Sequence, residues 1–175
     1  MASHQIRPTL DLAAGRLILE EDLPRALTLN CASKPEVLGW TRHGSRSLLV
    51  PFKGVHAGAE DSYLLRLDFL TGRGWPPSAR FVNPATRDYV VVRDQHHLPN
   101  LQSPEVHMHP AYQVPATDGM IQLICCSAVF EYYDVLHGGD DAILWRESDS
   151  FLVTLAAIGR AMASVHYVGR YPANV

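Results

Sequence analysis

The apolar positions of this chain fall into short runs with a period of two, followed by one segment with a helical period. Residues 62–70 (SYLLRLDFL) alternate around Arg66 and Asp68, which places Leu65, Leu67 and Phe69 on one face of a predicted strand. Shorter apolar runs at 47–52, 79–82 and 89–93 predict further strands, and a longer one at 119–130 predicts another. Between them, two glycines and two prolines in residues 71–77 (TGRGWPP) force a turn, and Asn83-Pro84 closes the strand at 79–82. Residues 10–29 suit either a helix or a strand, with Pro24 expected to break any long helix. Residues 32–45 read as a connection. The clearest helix begins near Ser148 and Asp149, where Phe151, Leu155, Ile158, Met162 and Val165 recur at spacings of three and four. The expected architecture is a single α+β domain over residues 1–175, with its core at about 45–168: an antiparallel meander packed against a C-terminal helix.

Composition narrows the function classes. At 175 residues with 47% hydrophobic and 19% charged residues, the chain is globular in character. A formal charge of −3 supplies no basic footprint for nucleic acid. No run approaches the ~20 apolar residues of a membrane span, and no basic-then-apolar leader is visible at Met1. Three cysteines, of which Cys125 and Cys126 are adjacent, do not form a disulfide framework, so a reducing, cytoplasmic setting is expected.

The polar segment at 94–118 changes the picture, because four of the nine histidines (His96, His97, His107 and His109) fall there. A stretch of that length without a regular element is unusual in a compact domain and is commonly functional. In extended backbone His107 and His109 project to one face, a spacing that lets two imidazoles converge on zinc. Cys126 with Glu131, or with Glu105, would complete such a set. Thiolate, imidazole and carboxylate together favour zinc over magnesium or calcium. Surface histidines in a loop are the alternative. His96 and His97, being adjacent, diverge unless the loop bends sharply. His137 reads as an exposed turn residue beside Gly138-Gly139, His166 as packed at a helix edge, and Cys31 as having no obvious partner.

A nucleophilic cysteine is the second candidate chemistry. Alternation puts Cys125 with Ile121 and Leu123, which reads as core, and Cys126 with Gln122 and Ile124, which reads as the accessible thiol. The alternative is two buried structural thiols. No Gly-x-Ser-x-Gly elbow, phosphate-binding loop or dinucleotide fingerprint occurs, and Asp140-Asp141 reads as a solvated turn.

The order of these features over residues 51–162 resembles the ubiquitin-conjugating (E2) fold. The segments that carry the likeness are SYLLRLDF, GRGWPPSARFVNP, His109-Pro110, Gly119-Met-Ile-Gln-Leu123, Trp145 and the helix from Asp149. The resemblance implies a thioester carrier, in which Cys126 or Cys125 accepts the C-terminus of a ubiquitin-like protein from its activating enzyme and His109 shapes the site. The segment FVNPATRDY with the later His-x-His also resembles a bacterial family predicted to bind metal through Cys, Glu and two His, associated with ubiquitin-like conjugation gene clusters. Residue 111 is Ala where the conjugating enzymes carry Asn after His-Pro. Residue 122 is Gln where their nucleophile stands. Three expectations follow: a thioester carrier, a zinc-binding accessory protein using His107, His109, Cys126 and Glu131, or a catalytically silent interaction module of the same fold.

Overall fold

The computed structural model describes residues 8–114, 117–135 and 145–173. The chain is α+β, built on an antiparallel sheet of four strands with a C-terminal helix. After helix α1 (Leu12–Leu29) come β1 (Thr41–Arg42), β2 (Ser47–His56), β3 (Ala59–Asp68) and β4 (Ser78–Val82), which pair in sequence order as a meander. A short β5 (Pro99–Leu101), the hairpin strands β6 (His107–Gln113) and β7 (Met120–Cys125), and helix α2 (Phe130–Asp134) follow. Helix α3 (Phe151–Met162) and strand β8 (Tyr167–Arg170) complete the order, with β8 pairing back onto β5.

Register gives the sheet two different faces. Leu48, Leu67 and Ala79 lie in one cross-strand row and Val50, Leu65 and Phe81 in the next, all buried, so the alternation read at 62–70 is realised. Helix α3 covers this face through Phe151, Ala157, Ile158, Ala161 and Met162. The Phe151 ring stands edge-on to both Trp40 and Phe69, each at 5.8 Å between centroids. Ser150 caps α3 by accepting from the Leu152 amide, just beyond the caps expected at Ser148 and Asp149. Val165 lies past the end of the helix and is 90% exposed.

Two expectations are corrected. Pro24 does not break α1, which runs eighteen residues through it. The helix lies on the surface and buries only a narrow stripe (Gly15, Leu19, Asp22, Leu23 and Ala26), so one missing backbone donor is tolerated on the wet side. Residues 89–93, apolar and β-branched, form turns instead of a strand. Their conformation is set by Asp94, which is buried. Its carboxylate accepts from the Val90 amide at 2.8 Å, from Arg93 Nη2 at 2.9 Å and from Asn83 Nδ2 at 3.2 Å. The segment 94–118 likewise contains β5 and the whole of β6 instead of a continuous loop. The expected turn at 138–141 and His137 lie outside the described residues.

Close approach fixes the seat of α1. A Cβ on Gly15 would stand 2.1 Å from the Phe69 carbonyl oxygen, so this helix turn rests directly on the end of β3. The Gly15→Ala variant should therefore lose about 1–3 kcal/mol of stability in urea denaturation, whereas Ala at the open Gly74 should not. For Asp94, hydrogen bonding from Arg93, with smaller contributions from Val90 and Asn83, holds the carboxyl down to about 2. Its stabilisation is therefore present above the ordinary carboxylate range and is lost as pH falls from about 4 towards 2. Asp94→Asn should lower the midpoint at neutral pH and flatten the acid limb of the stability curve over that window.

Candidate functional site

Three of the residues singled out by sequence, His107, His109 and Cys125, lie on the β6–β7 hairpin. Cα partners are His107 with Cys125, Met108 with Ile124, and His109 with Leu123. Directly opposed residues of an antiparallel pair share a face, so His107 and Cys125 lie on one side of the hairpin while Met108 and Ile124 point into the core. The two imidazoles lie side by side with centroids 4.5 Å apart and planes tilted by 37°, and the Tyr112 ring stands 5.6 Å from His109. Both histidines are half-buried. The hairpin is held from outside by tyrosine hydroxyls: Tyr89 donates to the Pro110 carbonyl at 2.8 Å, and Tyr171 donates to the Met108 carbonyl at 3.0 Å.

The accessibility of the two adjacent thiols is the reverse of the sequence expectation. Cys126 is 2% exposed and belongs to the core cluster, whereas Cys125 is half-buried on the histidine side. Burial pushes the Cys126 thiol up to about 11, and burial also raises Cys125. A thiol so placed is held in the protonated form, which is not the nucleophile. Cys31 is exposed on the loop after α1.

Gln122, which the resemblance was expected to set at the nucleophile position, is buried. Its carboxamide oxygen accepts from the Phe81 amide at 2.7 Å and its nitrogen donates to the Phe81 carbonyl at 2.8 Å. The side chain thus pairs both ways with the outer edge of β4, as a neighbouring strand would. Glu131, expected as a metal ligand, seals the same edge one step away: it accepts from the Ser78 hydroxyl and from the Ala79 amide at 3.3 Å. Burial raises its carboxyl, opposed by the Ser78 hydrogen bond.

These commitments separate the expected zinc ligands. Among the described residues, no group of three or more His, Cys, Asp and Glu side chains is placed to hold a metal ion. His107 and His109 come together, but Cys126 is turned into the core and Glu131 is engaged on β4. Glu105, the other carboxylate considered, lies 3.6 Å from Arg160. His96 and His97 do bend towards each other, with ring centroids 3.9 Å apart in a short 3-10 turn, and His166 is exposed instead of packed. Sequence reasoning treated Gln122 only as the residue standing where the resemblance puts the nucleophile. The available signal was a lone carboxamide inside an apolar strand, which must find backbone partners once buried.

The Trp-Pro-Pro corner is integrated with this region. Pro76 and Pro77 are buried, the Pro77 carbonyl accepts the Phe130 amide that starts α2, and Trp75 stands edge-on to Tyr133 at 5.2 Å. Trp145 Nε1 donates to the Arg73 carbonyl of the same turn at 2.9 Å. Comparison with known proteins finds no matching family model, no similar curated protein and no similar solved structure.

Removing the Gln122 carboxamide leaves two buried backbone groups unpaired, so Gln122→Ala should cost about 2–4 kcal/mol in denaturant unfolding. Thiol labelling with a maleimide should modify Cys31 promptly and Cys125 slowly. Cys126 should react only on unfolding or as pH rises towards 11, read by mass spectrometry of the labelled peptides.

Proposed function

We propose that this chain is a catalytically silent interaction module of the ubiquitin-conjugating type, serving a bacterial ubiquitin-like modification system by non-covalent contact with the ubiquitin-like protein. The observation that carries the reading is Gln122. At the position where the resemblance puts the thioester cysteine, the chain has a side chain consumed by two hydrogen bonds to Phe81. The nearest thiols are held protonated by burial, and residue 111 is Ala where the conjugating enzymes use Asn to support the oxyanion. The element order of helix, four-strand meander with the Pro-Pro corner before its last strand, hairpin and C-terminal helix is what supports the likeness itself.

The test is a charging assay with ATP, a ubiquitin-like protein and its activating enzyme. The expected result is no reducing-agent-sensitive adduct on the chain, together with saturable amide shift changes when the ubiquitin-like protein is titrated into 15N-labelled chain. An adduct lost in Cys125→Ser or Cys126→Ser would overturn the reading in favour of the thioester carrier. The zinc-binding alternative narrows to the neighbouring imidazoles of His107 and His109. One zinc per chain in metal analysis, abolished in His107→Ala with His109→Ala, would favour it instead.

A further inference from the structure

The C-terminal strand is held by a short ladder and by one turn. Strand β8 pairs with β5 at Pro99 with Arg170 and Leu101 with Tyr167, with a register shift between them. A second set of bonds comes from the 3-10 turn Gln95–His97 and the residue after it. Arg170 Nη1 donates to the His96 carbonyl at 2.8 Å, and the Tyr171 amide donates to the Leu98 carbonyl at 3.0 Å. Gln95 Nε2 donates to the Pro172 carbonyl at 3.4 Å. The Tyr171 hydroxyl is turned away to the Met108 carbonyl, so the hold on this strand also steadies the β6–β7 hairpin.

Two histidines sit where the turn meets β8. Both are half-buried, and their rings lie 3.9 Å apart between centroids. The charged and titratable groups around the pair come from three elements. Asp94 and Arg93 precede the turn, Arg170 reaches it from β8, and Asp61 and Tyr63 of β3 stand against Arg170. Both acids are already engaged. Asp94 accepts from Arg93 Nη2 at 2.9 Å, from the Val90 amide and from Asn83. Asp61 accepts from Arg170 Nε at 3.2 Å and from the Tyr167 hydroxyl at 3.0 Å. A proton added to either ring therefore meets a second imidazole and the Arg170 guanidinium, and neither acid is free to offset it.

We propose that the His96–His97 pair is a pH-sensitive clasp on the C-terminal strand, released when protonation sets the two rings against each other and against Arg170. The direction follows from burial. Burial, followed by the charge of His96, holds the His97 imidazole below its ordinary value; Asp94 opposes this and Arg170 adds to it. The opened turn takes up protons more readily than the closed one, so closure weakens as pH falls below about 6.5. Histidine is the side chain suited to a change in this range. The device does not depend on any ubiquitin-like partner. His56 of β2 also lies against β8, its ring 6.4 Å from Tyr167, and serves as the control.

The test is amide hydrogen exchange on the full chain at about pH 7.5 and about pH 5. Rates are expressed as protection factors, which remove the intrinsic pH dependence of exchange. Protection at the Tyr171 amide should fall about threefold or more from the higher to the lower pH. At Leu65 and Leu67 of β3 it should hold steady. In the His96→Gln, His97→Gln double variant the ratio at Tyr171 should return to about one, whereas His56→Gln should keep the full fall. The ratio is taken within each variant, so a change in neutral-pH stability does not obscure it, and His97→Gln alone replaces the double variant if that chain does not fold. No fall at Tyr171, an equal fall at Leu65 and Leu67, an undiminished fall without the histidine pair, or a fall abolished by His56→Gln would overturn the proposal.

Discussion

The unpaired outer edge of β4 is the constraint around which the second half of the molecule is arranged. A meander of four strands ends with backbone N–H and C=O groups facing away from the sheet, and on a strand as buried as β4 those groups cannot be left to water. The chain meets this without a fifth strand. Gln122 from β7 pairs with both groups of Phe81, and Glu131 from α2 takes the Ala79 amide. Two side chains therefore dock the hairpin and α2 onto the sheet and block edge-to-edge pairing with another chain. The Phe130 amide bonded to the Pro77 carbonyl extends the same seam into the rigid corner before β4. Whatever chemistry the hairpin carries is positioned by this seam.

At the far end of the sheet a second latch ties the C-terminal strand down. The hydroxyls of Tyr63 and Tyr167 lie 2.8 Å apart, Tyr167 donates to Asp61 at 3.0 Å, and the Arg170 guanidinium covers the Tyr63 ring at 4.6 Å. The Tyr167 ring comes so close to β2 that a Cβ on Gly54 would stand 2.4 Å from it. Glycine is needed there for space, which explains its place within an otherwise well-filled strand. Because β8 pairs with β5, this latch also carries the segment leading into the histidines, so the orientation of β6 depends on contacts at both ends of the sheet.

Much of the frame was legible because it rests on periodicity. Leu65, Leu67 and Phe69 alternate against one core, and Phe151, Ile158 and Met162 follow a helical stripe; local pattern and burial agree there. The misreadings share a different cause. Residues 89–93 have the composition of a strand, but their backbone is organised by one carboxylate, Asp94, acting across a turn. Adjacent cysteines necessarily face opposite ways, and sequence cannot say which way is inward. That is decided by pairing Cys125 with His107, which puts Cys126 among Met162, Ile124 and the rest of the core cluster. Glu131 was legible as a chemically capable residue, but its engagement to Ser78 and Ala79 arises only from how α2 lands on β4.

The outer face of the sheet poses a separate energetic question. Asp68 sits almost wholly buried between Arg66 and Arg80, and such clusters cost desolvation that their mutual attraction repays only in part. Leucine or valine at these positions would cover the strands at least as well, as Val82 does in the row beyond. Stability alone is therefore a poor account of why the polar row is there. A carboxylate shared by two guanidiniums does, however, hold both planes in fixed orientations across the sheet face.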